Sequence, residues 1–307
     1  MNETFQQELE RLMGGGILFD EPLSRHTSMG VGGCADALVF PGNREQLRDL
    51  LSLLKRERIP YVPIGNWTNL IVRDGGFRGV IIGLKQMNDF KLSQDPSGDL
   101  FLQAEAGTSL SDLVNLSATE GLTGLEFCAG IPGSVGGAVI MNAGAYGREI
   151  KDALEKLTLM DARGMERTWP CGQLQFEYRH FVLPEKDAVI LDATFRLSRS
   201  NKEIVREKVT EIRRIRKEKH PLEYRSAGSV FKNPQGQPAG KIIDELGLKG
   251  LQIGGAKVSE KHGNFIVNVG QAKARDILDL IRTIQDKVLR EKGILLEAEV
   301  ITIGEDL

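Results

Sequence analysis

Apolar residues recur along this chain with two periods. Steps of three and four build one apolar face of a helix, while alternation or a short apolar run builds a strand. The helical period marks residues 2–13, which end at Gly14-Gly15-Gly16. It marks Asn43 to Arg58, with Leu47, Leu50, Leu51 and Leu54 on the stripe, and Ser109 to Glu120, with Leu110, Leu113, Val114 and Leu116. Asn43 and Ser109 are residue types that cap helix N-termini. The period returns over 201–219, Ala239–Leu246 and Ala272–Lys292. Strands are predicted at Ala37–Pro41, Tyr61–Ile64, Ile71-Val72, Val80–Ile82, Phe101–Ala106, 155–160, 166–169 and 188–197. Later strands are predicted at Ser229–Lys232, Lys257–Ser259, Phe265–Asn268 and Leu296–Ile303. The order is a β-α-β start, an α+β middle and a small α+β end, with segments 1–75, 76–200 and 201–307.

Bulk composition narrows the class. A chain of 307 residues with 41% hydrophobic and 27% charged residues reads as a globular protein of two or three domains. The net charge of −2 gives no global pull toward nucleic acid or an anionic membrane. Within 201–219 acidic residues are interleaved with basic ones, as on a solvated amphipathic helix. Cys34, Cys128 and Cys171 are odd in number and far apart, which fits a reducing compartment. The start, MNETFQQELERL, is not a signal peptide, and no apolar run reaches membrane-helix length. A cytoplasmic protein is expected. No His, Asp or Glu grouping has metal-ligand spacing, so no metal is expected.

Glycine changes the picture. It supplies 35 of 307 residues, well above the usual share near 7%, and it clusters in the first half. Two segments follow strand-like runs: Pro63 to Leu70 and Gly130 to Gly147. Glycine turns expose backbone N–H groups as anion nests and let a diphosphate approach the main chain. Neither segment is GxGxxG with a following acid or GxxxxGK[ST], which argues against Rossmann and Walker sites. By spacing alone, each segment reads either as tight turns or as a cofactor loop.

The motifs are more specific. The run GIPGSVGGAVIMNAGAYG resembles the flavin-binding signature of the UDP-N-acetylenolpyruvoylglucosamine reductase family. His26 to Asp36 is similar to that family's N-T-S-x-x-x-G-G-x-A-D, and residues 63–70 to its G-x-G-S-N-L loop, with Trp67 where the second glycine stands. The resemblance spans nearly the whole chain. It implies a vanillyl-alcohol-oxidase-like FAD-binding fold in two subdomains, 1–75 and 76–200, plus a substrate-binding domain at 201–307. It implies non-covalent FAD, with NADPH as co-substrate. Gly65, Asn66, Thr68 and Asn69 would hold the cofactor from the first loop. From the second loop, Gly130, Ile131, Pro132, Gly133, Ser134, Gly136, Gly137, Asn142, Gly144, Ala145 and Tyr146 would do so.

Three residues match the family's catalytic positions. Ser229 stands in SAGSVFKNP, Arg179 in FEYRH and Glu299 in LEAEV, where Ala298 replaces the usual proline. Reduction of an enol ether needs a proton source, a cation at the carboxylate and a positioned acid. The resemblance gives these roles to Ser229, Arg179 and Glu299. Lys232, Asn233, His262 and Asn264 are implied to contact substrate, though His262 also fits a structural histidine. The 50-residue interval from Arg179 to Ser229 matches the family's short, type II layout. There the substrate's diphosphate would be met by Lys232, Lys257 or Lys261. The implied substrates are NADPH and UDP-N-acetylglucosamine-enolpyruvate, and the implied role is peptidoglycan synthesis, with the cell shape and division it serves. A monomer with no nucleic-acid or membrane partner is expected. An FAD-dependent sugar or alcohol oxidase of the same fold, or a non-catalytic flavin or nucleotide-sugar binding protein, are the alternatives.

Overall fold

A computed structural model describes residues 3–307; position 2, at the start of the predicted N-terminal helix, lies outside them. Seven helices appear among the described residues: α1 (Glu3–Met13), α2 (Arg44–Glu57), α3 (Leu110–Glu120), α4 (Val135–Ile140), α5 (Lys202–Lys219), α6 (Ala239–Glu245) and α7 (Ala274–Lys292). None is long and apolar enough to cross a membrane. Asn43 caps α2 by accepting from Gln46 N at 2.9 Å, and Ser109 caps α3 by accepting from Ser111 N at 3.2 Å.

Two compact units form. The larger takes residues up to Phe19, Ala37–Asn66 and Gly79–Arg214; the smaller takes Asp20–Asp36, Trp67–Arg78 and Ile215–Leu307. This partition is discontinuous in sequence. A four-stranded sheet runs in the order Ile17–Pro22, Cys34–Val39, Phe77–Gly83, Tyr61–Ile64, and the unit boundaries fall inside the first three of these strands.

In the larger unit an antiparallel sheet runs in the order Glu166–Pro170, Leu154–Met160, Val189–Arg199, Leu100–Glu105, Phe90–Gln94. Leu100, Leu102 and Ala104 alternate into the core, as a strand with one buried face must. The first seven residues of Val189–Arg199 are all buried, as befits a central strand. Asp192 on that strand is buried and accepts from Arg44 Nη2 at 2.5 Å, Gln103 Nε2 at 2.9 Å and Thr158 Oγ1 at 3.2 Å. A buried carboxylate needs that many donors to offset desolvation.

The smaller unit has its own core, including Met29, Val31, Ile71, Phe231, Ile242, Ile277, Leu280 and Ile284. Its antiparallel sheet runs Arg225–Ser229, Phe265–Asn268, Ala256–Val258, Gln252–Ile253. Leu70–Val72 and Ile301–Ile303 pair in parallel. The predicted strand Ser229–Lys232 lies instead at Arg225–Ser229, with a register shift between Ser226 and Ser229 where Gly228 has φ +76°. Residues 230–232 leave the ladder because a side chain, that of Asn264, takes both hydrogen-bonding groups of Phe231. The predicted strand Leu296–Ile303 shortens to its last three residues for the matching reason: Lys232 N donates to Glu297 O at 2.9 Å and Glu299 N to Val230 O at 2.7 Å.

Asp74 joins the ends of this unit. Its carboxylate accepts from Ala274 N at 2.9 Å and Arg275 N at 3.0 Å, the first amides of α7. A negative group there satisfies orphan donors and opposes the helix dipole. Asp74→Ala is expected to lower stability by about 1–2 kcal/mol, the usual cost of a lost helix cap, read as a lower urea midpoint by circular dichroism.

Candidate active site

In the larger unit the strand Tyr61–Ile64 delivers Gly65 against the second glycine segment. A Cβ on Gly65 would lie 2.0 Å from Ser134 Oγ, so no other residue fits without moving that serine. The portions of the two predicted cofactor loops that lie in this unit therefore touch. Ser134 caps α4 by accepting from Gly137 N at 3.4 Å. The amides of Val135, Gly136 and Ala138 donate to Thr108 O, Ala106 O and Ser134 O. The first turn of α4 is thus satisfied by protein. Gly136 is a packing glycine, since its Cβ would meet Ala106 Cβ at 2.9 Å. Among these segments Gly130, at φ +72°, Asn66 and Pro132 are exposed, and Ile131, Gly133 and Gly137 are half-buried.

Further along, Asn142 is fully buried at φ +37°. Its Nδ2 donates to Glu149 Oε2 and to Glu177 O, both at 3.0 Å, and its Oδ1 accepts from Lys151 N at 3.2 Å. This carboxamide is spent on protein and fixes the loop to the Arg179 hairpin. Gly144-Ala145 pairs with Arg148-Glu149 across the turn Tyr146-Gly147, whose φ values of +55° and +77° are those of a type I′ hairpin. Tyr146 is exposed. Arg179 sits at φ +58° between the paired strands Gln175–Glu177 and His180–Val182. Its Nη2 donates to Gly144 O at 2.7 Å, and its guanidinium lies 4.9 Å from the Tyr178 ring centroid. A Cβ on Gly144 would stand 2.9 Å from Arg179 Nη1. The fold thereby brings Arg179, Asn142, Gly144 and Ala145 together.

Sequence reading passed over Glu126, just before Gly130. It is buried and accepts from Thr123 Oγ1 at 2.6 Å and Gly124 N at 2.7 Å. Burial pushes its carboxyl upward, but the bonds from Thr123 and Gly124 prevail and hold it below the ordinary range. The available signal was a single acid inside the apolar run Leu125-Glu126-Phe127-Cys128.

In the smaller unit Trp67 lies at φ +57°, which explains why the family carries glycine there. The indole is buried and tilted against His26 at 5.5 Å, and His26 Nε2 is 2.9 Å from Glu21 Oε1. Trp67 O accepts from Ser28 N at 3.2 Å, while the buried Ser28 Oγ has no protein partner. Asn69 Nδ2 donates to Glu299 O at 3.1 Å, and Asn69 O accepts from Ile301 N at 3.0 Å. Glu299 N in turn reaches Val230 O, beside Ser229. Asn69, Val230 and Glu299 therefore share one hydrogen-bonded strip, with Ser229 next in sequence to Val230. Thr68 is half-buried.

Residues expected near substrate have protein partners. Lys232 Nζ is 2.5 Å from Glu297 Oε1, and Asn233 Oδ1 accepts from Ala239 N at 3.0 Å, ahead of α6. Asn264 is buried and exchanges two side-chain bonds with the Phe231 main chain, at 2.9 and 2.8 Å. His262 Nδ1 accepts from Asn264 N at 3.2 Å, and its ring packs on His220 and Phe265 at 5.6 and 4.9 Å. Burial, then Lys249, lowers its pKa below the ordinary histidine value. Lys257 Nζ pairs with Glu260 at 3.0 Å and Lys261 Nζ donates to Lys217 O at 2.9 Å.

Known proteins agree with this layout. The profile of the FAD binding domain matches residues 35–168, and that of the UDP-N-acetylenolpyruvoylglucosamine reductase C-terminal domain matches 220–303. The reductase of that name from Syntrophus aciditrophicus is 50% identical over 98% of this chain and 96% of its own length. The chain belongs to the UDP-N-acetylenolpyruvoylglucosamine reductase family. The crystal structure of the family member from Thermus caldophilus superimposes with a TM-score of 0.77 at 38% identity, covering 93% of this chain and 97% of that one. Alkyldihydroxyacetonephosphate synthase, at TM-score 0.50 and 16% identity over 65% of this chain and 41% of that one, shares the fold alone. The FAD-binding fold shared with vanillyl-alcohol-oxidase relatives, followed by a separate C-terminal domain, is thus the architecture of this chain.

Family membership brings FAD as the cofactor, and the residues fit it. The exposed Gly130 and half-buried Gly133, which carry no side chain, suit a flat, diphosphate-bearing molecule, with Asn66 exposed on the other loop. In the smaller unit the unpartnered buried hydroxyl of Ser28, beside the Trp67 peptide, calls for a polar partner.

Two expectations follow. Trp67→Gly removes left-handed strain of roughly 1–2 kcal/mol but forfeits ring burial worth about 3–5 kcal/mol. The net result is lower stability by thermal unfolding. Burial, aided by Arg216 and His262, pushes the His220 pKa from 6.5 down to about 4. The unfolded chain therefore binds a proton that the folded one refuses, and stability falls as pH drops from 6.5 toward 4. His220→Gln is expected to flatten that slope in melting temperatures taken between pH 7 and pH 5.

Proposed function

We propose that the chain reduces the enolpyruvyl double bond of UDP-N-acetylglucosamine-enolpyruvate with electrons from NADPH, forming UDP-N-acetylmuramate for peptidoglycan synthesis. The observation that carries this reading is the reductase C-terminal domain match over 220–303, a stretch that contains Ser229 and Glu299. An oxidase that shares only the FAD-binding fold has no reason to carry it. When bound, FAD would supply the two-electron redox chemistry that links NADPH to the enol ether. The remaining work falls to the chain's own side chains.

Arg179 grips the substrate carboxylate with its planar fork, and its attraction grows as negative charge spreads over C2 and the carboxylate. Ser229 Oγ–H gives its proton to C2. A hydroxyl of ordinary acidity is a poor donor, so this transfer comes late, onto a strongly basic carbon. Glu299 assists the same protonation. The sum is one NADPH and one proton consumed for each C–C double bond saturated. Gly65, Asn66, Thr68, Asn69, Gly130, Ile131, Pro132, Gly133, Ser134, Gly137 and Tyr146 border the cofactor, while Gly136, Asn142, Gly144 and Ala145 keep its loop in shape. Lys232 and Asn233 face the substrate, and His262 and Asn264 brace the main chain beside Ser229. Both substrates are soluble nucleotides, which suits a cytosolic, monomeric enzyme serving cell shape and division.

The purified protein should absorb near 450 nm, bleach on NADPH and recover colour only when the enolpyruvyl nucleotide is added. In Ser229→Ala, bleaching by NADPH is expected to survive while product formation drops by about 10²–10⁴-fold, the range of general acid catalysis. Equal loss of both steps in stopped-flow traces would remove Ser229 from the proton-donor role.

A further inference from the structure

We infer that Asn69 is a positioning residue for Glu299, through which the first glycine loop is coupled to the acid-bearing segment. The inference rests on the proposed role of Glu299 and adds a residue that acts on it. Its basis is the strip in the smaller unit. The parallel ladder between Leu70–Val72 and Ile301–Ile303 stops at Ile301, whose amide donates to Asn69 O at 3.0 Å. One step earlier no ladder bond is possible, because residues 297–299 bend away to pair with 230–232. At that step the Asn69 carboxamide takes the place of the missing strand and donates to Glu299 O at 3.1 Å. The peptide units flanking the Glu299 Cα are thus held from two sides: the amide by Val230 O at 2.7 Å, next to Ser229, and the carbonyl by Asn69.

The chemistry of the asparagine fits this task. A primary amide is the shortest neutral side chain that presents N–H outward from a loop while its own carbonyl continues the ladder. Aspartate at the same position would aim a carboxylate at a carbonyl oxygen. Alanine would leave the Glu299 carbonyl without that donor, and the segment would lose one of its fixed points. A side-chain acid displaced by even an ångström protonates poorly, because reaction needs near-contact geometry. Asn69 follows Thr68 and Asn66 in the loop, so whatever orders that loop also orders the Glu299 peptide.

The test uses Asn69→Ala and the size-matched Asn69→Asp alongside Glu299→Gln and the Asn69→Ala/Glu299→Gln pair. Every rate is read at saturating FAD, so that any loss of cofactor affinity in the Asn69 variants drops out of the comparison. Single-turnover reoxidation by the enolpyruvyl nucleotide falls roughly tenfold or more, its pH profile changes shape, and the double variant is no slower than Glu299→Gln alone. In flavin-free protein, amide deuterium exchange over 297–303 quickens in both Asn69 variants. Reoxidation that returns to normal at saturating FAD, losses that multiply in the double variant, or unchanged exchange would each overturn the inference. Normal reoxidation in Glu299→Gln would instead overturn the role given to the acid, while the exchange result would still decide whether Asn69 braces its segment.

Discussion

Main chain presses on main chain wherever loops cross within each unit, and this close approach is the constraint on which the structure depends. A Cβ on Gly107 would lie 2.0 Å from Leu84 O, and one on Gly76 would lie 2.0 Å from Cys34 O. A Cβ on Gly33 would be 2.3 Å from Asp74 O, on the turn whose carboxylate starts α7. Real Cβ atoms do not come that near to backbone, so glycine at these crossings is a packing requirement. Surfaces made this way are nearly free of side chains, which is also what a bulky planar cofactor needs.

The cost of such loops appears in their backbone angles. Of eight non-glycine residues at positive φ among the described residues, Trp67, Asn142, Tyr146 and Arg179 fall within the predicted site segments. Strain of this sort persists only where neighbours over-determine the conformation. The neighbours are identifiable: three hydrogen bonds fix Asn142, the Gly144 carbonyl and Tyr178 ring fix Arg179, and His26 backs Trp67. Charge contributes in the same local manner, with Glu126 bracing the turn before Gly130 and Asp192 joining α2 to the large sheet.

Elements whose causes are local were legible in the sequence. α2 and α3 have their caps at Asn43 and Ser109, and α7 carries a clean apolar stripe through Ile277, Leu280, Ile281 and Ile284. α4 escaped notice because Gly136-Gly137 dilutes its propensity; its hold comes from Thr108 and Ala106. The edge strand Phe90–Gln94 is mostly exposed and so has no alternation to read. The motifs single out Arg179, Ser229 and Glu299 as expected carriers of chemistry, and nothing local tells which flanking residues also hold backbone. Asn142 and Asn264 are both asparagines in glycine-rich motifs, and both turn out to be buried braces. Their partners, Glu177 and Phe231, stand 35 and 33 residues away, beyond the reach of any window.

The pairing of Leu70–Val72 with Ile301–Ile303 bears on how the chain is made. Asn69 and Glu299 are separated by 230 residues. At translation speeds of roughly 5–20 residues per second, the early piece waits tens of seconds for its mate. During that time Met29, Val31 and Ile71, which end in the core of the smaller unit, have no core to enter. The larger unit has emerged by Arg214 and can condense on the ribosome. The smaller one is completed only when the strand Ile301–Ile303 leaves the exit tunnel, so its apolar early segments stay exposed long after those of the larger unit are covered.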